Sequence, residues 1–356
     1  MTSDTIKVGV LGCAKIVEFA LVNPSKDIPE LELYAIASRR SEKASEYAEK
    51  YGFNKALPSY DDVLADPEVD FVYIALPNDT HVAWALKAAE ARKHILVEKP
   101  LAINTDKLYD LKERCEEKGI FLLEALMVQH HPWQSEIKKI VASNVFGALK
   151  EIQTVLTFIP KYDLATNYRG DPEKGGGCFY DLAPYWLQFI QSLRFLPEAQ
   201  FDGESLFNGP NGIDTTFDAS LTFNDGCRCL LETSFEKPYR AMHALYFDKA
   251  TLTVNDIFRA NTGRFKISCT IDNLQEKTTK KVFFPPSNYY ENQLRFFVGV
   301  IRGCCSNIPF EQSMEQIRLL SIIYNRAYEK SAAKNRNVSY PASGIPTSRP
   351  FNHVVN

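Results

Sequence analysis

Ile6-Lys7-Val8-Gly9-Val10-Leu11-Gly12-Cys13-Ala14-Lys15-Ile16-Val17 is the stretch on which the reading of the fold turns. Its first six residues, four of them branched and apolar, predict a strand over 6–11. A dinucleotide-binding turn after such a strand needs a tight bend, a close backbone approach to a pyrophosphate, and a helix N-terminus whose N–H groups are free to bind it. Gly12 meets the first need, whereas Ala14 and Val17 stand where the fingerprint places its second and third glycines. Taken alone, the loop reads equally as an ordinary strand-to-helix turn.

Working outward, short apolar runs at 33–37, 71–76, 94–97 and 121–122 predict further strands, and 41–51 and 81–91 carry apolar residues at helical spacing. Strands alternating with amphipathic helices predict a parallel sheet of Rossmann type. From about Leu149 the texture changes to β-branched and aromatic runs at 152–159, 219–223, 229–235 and 250–254, which predict a mostly antiparallel sheet in an α+β domain. Helices are expected over 291–302 and 314–332. The expected division is a dinucleotide-binding domain at 1–125, a substrate-binding and oligomerisation domain at 126–340, and an irregular tail at 341–356.

The chain has 356 residues, 45% hydrophobic and 24% charged, enough to bury two cores. A net charge of −3 without a dense basic run argues against nucleic acid and anionic membranes as partners. The eight cysteines lack metal or disulfide-scaffold spacing and read as reduced thiols in a cytoplasmic protein. No signal peptide is expected in the polar first residues, and no apolar run approaches a membrane span. His130 and His131 point apart in an extended segment, so no metal is expected.

The second predicted strand ends in Ser38-Arg39-Arg40, close to where an NAD enzyme presents a carboxylate to the ribose 2′-hydroxyl. A hydroxyl followed by two guanidinium groups would instead bind a 2′-phosphate, which favours NADP(H), unless the arginines only begin the next helix. The fourth strand ends in Glu98-Lys99-Pro100, where a ligand binds in open α/β sheets, and Pro100 holds Lys99 on a stiff, extended backbone.

These segments, with Leu76 and Pro77-Asn78-Asp79-Thr80-His81 before them, Asn167-Tyr168-Arg169 and Gly175-Gly176-Gly177 after them, and then Asp181-Leu182-Ala183-Pro184-Tyr185, resemble the glucose-fructose oxidoreductase/inositol dehydrogenase (Gfo/Idh/MocA) family. The resemblance implies that Lys99 lies beside a nicotinamide and that Asp181 and Tyr185 supply further catalytic groups. Tyr185 departs from the inositol dehydrogenase pattern, which has His there, and is similar to the dihydrodiol dehydrogenase, glucose-fructose oxidoreductase and deoxysugar ketoreductase branches. Cofactor contacts are expected from Gly12, Cys13, Ala14, Lys15, Ile16, Ser38, Arg39, Arg40, Leu76, Pro77, Asn78, His81, Glu98, Lys99 and Pro100. The resemblance also places Gln129-His130-His131-Pro132 at the cofactor's border, although related sequences often carry Arg at the position of Gln129.

Hydride transfer at a carbinol carbon leaves a proton that must move to or from oxygen. Tyr185 is the expected proton donor or acceptor, with its pKa lowered by Lys99, which would also orient the oxygen; the reverse assignment stays open. Asp181 and Tyr185, four apart, share a helix face, and Pro184 between them implies that the helix starts there with Asp181 near its N-cap. Arg169 and Tyr168 either reach substrate oxygens or tie the domains together. Trp133, Trp186 and the aromatic stretch 289–297 read as packed core. The expected activity is NADP(H)-dependent oxidation or reduction of a secondary alcohol, ketone or lactol on a sugar, sugar nucleotide or cyclic diol, by a homodimer or homotetramer. The rival is a catalytically silent dinucleotide sensor of the same fold.

Overall fold

In the computed structural model, which describes residues 5–337, β1 (Ile6–Leu11) leads into a helical segment that begins as a π-helical turn at Glu18–Val22 and continues as α1 (Asn23–Ser25). There follow β2 (Leu31–Ala37), α2 (Ser41–Tyr51), β3 (Lys55–Leu57), α3 (Tyr60–Ala65), β4 (Phe71–Ile74), α4 (His81–Glu90), β5 (His94–Val97), α5 (Leu108–Lys118) and β6 (Leu122–Glu124). The six strands pair in parallel in the order β3-β2-β1-β4-β5-β6. Helices cover both faces, so central strands are apolar on both sides: Val8, Val10 and all of Phe71–Ile74 are buried. The order reverses between β1 and β4, and the crevice beyond their carboxyl ends is where such sheets take ligands. Leu11 pairs with Ile74, which sets Gly12 beside Ala75 there.

The second layer contains α6 (Pro132–Ser143), β7 (Leu149–Thr157), α7 (Cys178–Leu193), β8 (Gln200–Glu204), β9 (Thr216–Thr222), β10 (Arg228–Ser234), β11 (Arg240–Phe247), β12 (Ala250–Asn255), β13 (Ile267–Asn273) and β14 (Thr278–Phe284). Its eight strands run in the order β14-β13-β12-β11-β7-β10-β9-β8, antiparallel except for the β7–β10 pair. One face packs on α6 and α7, where Trp133, Trp186 and Phe189 are fully buried and the Phe179 and Phe217 rings stack 4.1 Å apart. Burying each such side chain is worth about 1.5–3 kcal/mol, so α7 is held to this sheet along its length. The opposite face of the sheet presents Gln153, Val155, Asp218, Leu230 and Glu232 around a shallow depression.

Two last helices, α8 (Tyr289–Ile301) and α9 (Phe310–Asn337), return to the first layer. Phe297 meets Phe71 edge-on at 5.4 Å, and Asn307 Nδ2 donates to Leu122 O at 2.8 Å. The first sheet thus gathers residues 6–124, the second 149–284, and the chain beyond packs against both. The structure lengthens β2 to begin at Leu31 and ends β4 at Ile74, releasing Ala75 and Leu76 into the crevice loop. It also adds the exposed edge strand β3. The expected tail at 341–356 lies outside the described residues. No described helix is long and apolar enough to cross a membrane.

Candidate active site

At the crevice, Gly12 adopts φ +108°, and a Cβ built on it would lie 2.5 Å from Ala75 O. Only glycine fits, so the tight turn after β1 packs directly on the β4 backbone. The helix after the loop starts with Val17 N donating to Ala14 O at 3.1 Å and Glu18 N to Lys15 O at 3.3 Å. Its N-terminus therefore faces the crevice. Cys13 is buried beneath the loop, Lys15 is exposed, and Ala14 and Ile16 are partly covered. Burial pushes the Cys13 thiol up, against the opposing influence of Lys43 and the Ser38 hydroxyl. Loop and second-strand end therefore adjoin. Ser38 is nearly buried, and its Oγ accepts from Arg40 N at 3.4 Å. Arg39 and Arg40 are exposed and make no salt bridge among the described residues, with Arg40 at the N-cap of α2. The set fits a dinucleotide carrying a 2′-phosphate: a glycine cradle, a helix N-terminus, one hydroxyl and two exposed guanidinium groups.

On the β4 side, Leu76 and Pro77 line the loop, whereas Asn78 and His81 turn inward. Both His81 ring nitrogens lie 2.8 Å from backbone carbonyls, Nδ1 from Pro100 O and Nε2 from Leu76 O. With no exposed surface, His81 ties the β4 loop to the β5 loop and has no ring nitrogen left over for a ligand. Asn78 Nδ2 donates to Gly175 O at 3.0 Å, linking the first layer to the glycine loop of the second.

The loop after β5 brings three of the expected catalytic residues together. The Lys99–Pro100 peptide is cis. Lys99 Nζ donates to Asp181 Oδ1 at 2.9 Å and to Asp181 O at 2.5 Å, and lies 5.1 Å from the centre of the Tyr185 ring. Arg169 Nε forms a second ion pair with Asp181 Oδ2 at 3.2 Å, so this carboxylate sits between two cations. Burial pushes the Asp181 carboxyl up, but Arg169 and Lys99 overcome it and hold it well below the usual range. Asp181 is therefore an anion at any working pH. The Arg169 guanidinium, 4.7 Å from the Tyr168 ring centre, faces Asp181 rather than solvent.

Glu98 turns to accept a hydrogen bond from the buried Tyr73 hydroxyl, and burial raises its carboxyl. Tyr185 is nearly buried, its ring against Phe258 at 4.8 Å. Burial first, then Tyr290, Glu98 and Asp181, push its phenol well above the ordinary value. This corrects the expectation that Lys99 would lower it. The ammonium is shared with Asp181, while the phenol's other neighbours are anionic or weakly acidic. Tyr185 is thus a group that holds its proton until a stronger base arrives.

The structure also corrects the start of the helix carrying these residues. α7 begins at Cys178, so Asp181 lies within its first turn and caps nothing, and Pro184 lies inside the helix. Pro184 has no N–H for Tyr180 O, and its ring crowds that turn. The neighbouring carbonyl, Asp181 O, takes one of the bonds from Lys99. The cap comes instead from Asp214, which precedes β9: its carboxylate accepts from Phe179 N at 2.7 Å, and its backbone oxygen from Cys178 N at 3.0 Å. Gly177, φ +93°, is a glycine because a Cβ there would lie 1.9 Å from Asp214 Oδ1. Asp214 was not singled out from the sequence, since its bonding partners lie 35 and 36 residues away and no local motif announces them.

Of the remaining candidates, His130 and His131 pack within the fold. His131 Nδ1 accepts from Trp133 N at 3.3 Å and caps α6, while the His130 ring lies 4.9 Å from that of Phe296. Burial pushes both imidazoles down to about 4. Gln129 lines a small crevice with Glu124, Ser313 and Gln316. Among the described residues, no group of three or more His, Cys, Asp or Glu could hold a metal.

Residues 6–125 match the model of an oxidoreductase family with an NAD-binding Rossmann fold, and 135–254 match the GFO/IDH/MocA C-terminal domain. An uncharacterised oxidoreductase, ORF334, from Rhizobium meliloti is 31% identical over 331 residues, 91% of this chain and 97% of that protein. D-xylose 1-dehydrogenase (NADP(+)) 2 from Haloferax volcanii is 29% identical over 328 residues, 92% and 98% of the two chains. A dTDP-3,4-didehydro-2,6-dideoxy-alpha-D-glucose 3-reductase from Streptomyces violaceoruber is 31% identical over 267 residues, 74% and 76%. In fold, the chain is similar to the 3-ketoreductase KijD10 from Actinomadura kijaniata, solved with NADP and TDP-benzene, at a TM-score of 0.82 and 24% identity over 90% of this chain and 97% of that one. With both of its layers matched in order, and with a relative 31% identical along nearly its whole length, the chain belongs to the GFO/IDH/MocA oxidoreductase family.

Proposed function

We propose that this oxidoreductase moves a hydride between NADP(H) and a secondary alcohol, ketone or lactol carbon of a sugar-like substrate, with Lys99, Asp181 and Tyr185 as the reacting set. The observation that carries the reading is Lys99 Nζ, held by Asp181 at 2.9 Å and set 5.1 Å from the Tyr185 ring centre, on the loop after β5. The Gly12 loop would hold the pyrophosphate, and Ser38, Arg39 and Arg40 the 2′-phosphate. The preference for NADP(H) is supported by these exposed guanidinium groups and by the name of the Haloferax relative. When bound, the nicotinamide supplies or accepts the hydride. A lysine ammonium has three N–H donors. Asp181 takes two, which leaves one to orient a substrate oxygen. Tyr185, keeping its proton until alkoxide character develops, donates it during reduction.

The substrate class is supported by relatives named for D-xylose, dTDP-deoxysugars and trans-1,2-dihydrobenzene-1,2-diol. Association into a homodimer or homotetramer is proposed with it, to be measured by light scattering. The deciding experiment is fluorescence titration with NADPH and NADH, followed by turnover assays on free sugars, nucleotide sugars and cyclic diols. Tight NADPH binding with turnover on one class supports the proposal, and cofactor binding without turnover on any class supports a sensor. Failure to bind either nucleotide would sink both.

A further inference from the structure

Asp214 has no exposed surface, and among the described residues it forms no salt bridge. The groups packed around its carboxylate are the Cys178 thiol and Phe179 N–H of α7, with the hydroxyls of Tyr180, of Thr233 on β10 and of Tyr324 on α9 close by. Oδ2 takes the Phe179 N–H at 2.7 Å and the thiol at 3.2 Å, while Oδ1 has no partner and faces the bare Cα of Gly177. A buried carboxylate is an expensive helix cap, because Ser, Thr or Asn could accept the same N–H without desolvating a charge. What the charge adds is a stronger bond and a favourable place at the helix N-terminus.

We infer that Asp214 is a positioning residue, whose ionised carboxylate pins the first turn of α7 and so sets Asp181 and Tyr185 against Lys99. The leverage is short. Asp181 is two residues beyond Phe179, and its bonds to Lys99 Nζ are 2.5 and 2.9 Å, so a shift of about 1 Å in this turn breaks them. Burial pushes the Asp214 carboxyl up to about 7, whereas Asp181 is held far below neutrality and Tyr185 far above it. A change in site geometry near neutral pH is therefore not assigned to those two groups, and the Asp214→Asn variant separates Asp214 from Glu98, whose buried carboxyl is also raised.

The inference rests on the proposed reacting set for its consequence in turnover, so its primary test uses no substrate. Hydrogen exchange by mass spectrometry on the full chain, corrected for intrinsic rates, reports the amides of residues 178–185 between pH 6 and 8. Fraying of the first turn breaks the Phe179 and Cys178 bonds that favour the ionised form while Asp214 stays buried, unlike global unfolding, so in the wild type protection should rise about tenfold or more with pH through about 7. Asp214→Asn, which keeps an oxygen for Phe179 N–H but no charge, should show low protection without that pH dependence. Where a substrate from the panel is in hand, kcat should follow the same profile in the wild type and lose it in the variant, with KM for NADPH unchanged. Wild-type protection that does not vary with pH overturns the inference, whether or not the variant folds. A variant that keeps the wild-type pH profile overturns it as well.

Discussion

The substitution Asp214→Asn should weaken the site and yet make the protein more stable, and the structure gives the size and pH range of the gain. Burial raises this carboxyl from its ordinary 3.8 to about 7, a rise of roughly 3 pH units, or about 4 kcal/mol at 1.36 kcal/mol each. Because the folded value is raised, the protonated carboxyl is the form that favours folding. Its contribution is complete below about pH 4 and is lost as pH climbs to about 7, above which folded and unfolded chains are both ionised. Asparagine never ionises and escapes the loss, although its amide NH2 must be accommodated beside Gly177. A net gain of about 2–4 kcal/mol at pH 8 is expected, or roughly 3–5 °C in Tm for a chain of this size. Calorimetry of both proteins from pH 4 to 8 at constant salt tests this. The Tm difference should be near zero at pH 4, widen to pH 7 and then level off. A difference that does not vary with pH, or a variant less stable at pH 8, would refute the account of Asp214 as a buried, uncompensated charge.

Gly12→Ala forces a Cβ to within 2.5 Å of Ala75 O at φ +108°, so titration should show NADPH affinity reduced at least ~10-fold, with a lower Tm even without cofactor. Lys99→Met should cut hydride transfer by ~10²–10⁴ in stopped-flow measurements. The same change leaves Asp181 with Arg169 alone, and its carboxyl, depressed in the wild type, should move upward. Stability that a depressed carboxyl contributes is present above its unfolded pKa and is lost as pH falls. The variant should therefore melt lower at neutral pH and show a smaller acid-induced loss than the wild type. Replacing both Arg39 and Arg40 by Ala should narrow the NADPH-over-NADH preference by ~10-fold or more in competitive titration, and an unchanged ratio would show that neither guanidinium meets a 2′-phosphate.

The first layer was readable because parallel strands covered on both faces must be apolar on both faces, as Phe71–Ile74 is, so each leaves a continuous run in the sequence. β3 escaped notice because Lys55 and Ala56 are exposed at the sheet's edge and leave no such run. The approach of Lys99 to Asp181 and Tyr185 was legible from two local motifs, Glu98-Lys99-Pro100 at the end of a strand and Asp181 to Tyr185 on a helix. His81 was legible as a member of the β4 loop but not as its fastener, since its partners, the Leu76 and Pro100 carbonyls, come from two loops joined only in the fold.

The start of α7 shows where reading from local rules breaks down. Pro184 argued for a helix beginning near Asp181, because a proline beyond the first turn forfeits a bond. The structure accepts that loss, since the helix is anchored upstream by Asp214 and along its length by burial of Phe179, Trp186 and Phe189 against the second sheet. With the turn crowded by Pro184, Asp181 O is one of the two oxygens that receive Lys99 Nζ. The local defect and the distant cap belong to one design: the cap holds the first turn in place, and the defect accompanies a backbone acceptor for Lys99 within that turn. A test follows from the pairing. Pro184→Ala restores an N–H for Tyr180 O and should stabilise α7, yet lengthen the Lys99–Asp181 contact and slow hydride transfer by ~10-fold. A variant that is more stable and equally fast would show that the defect is incidental to the site.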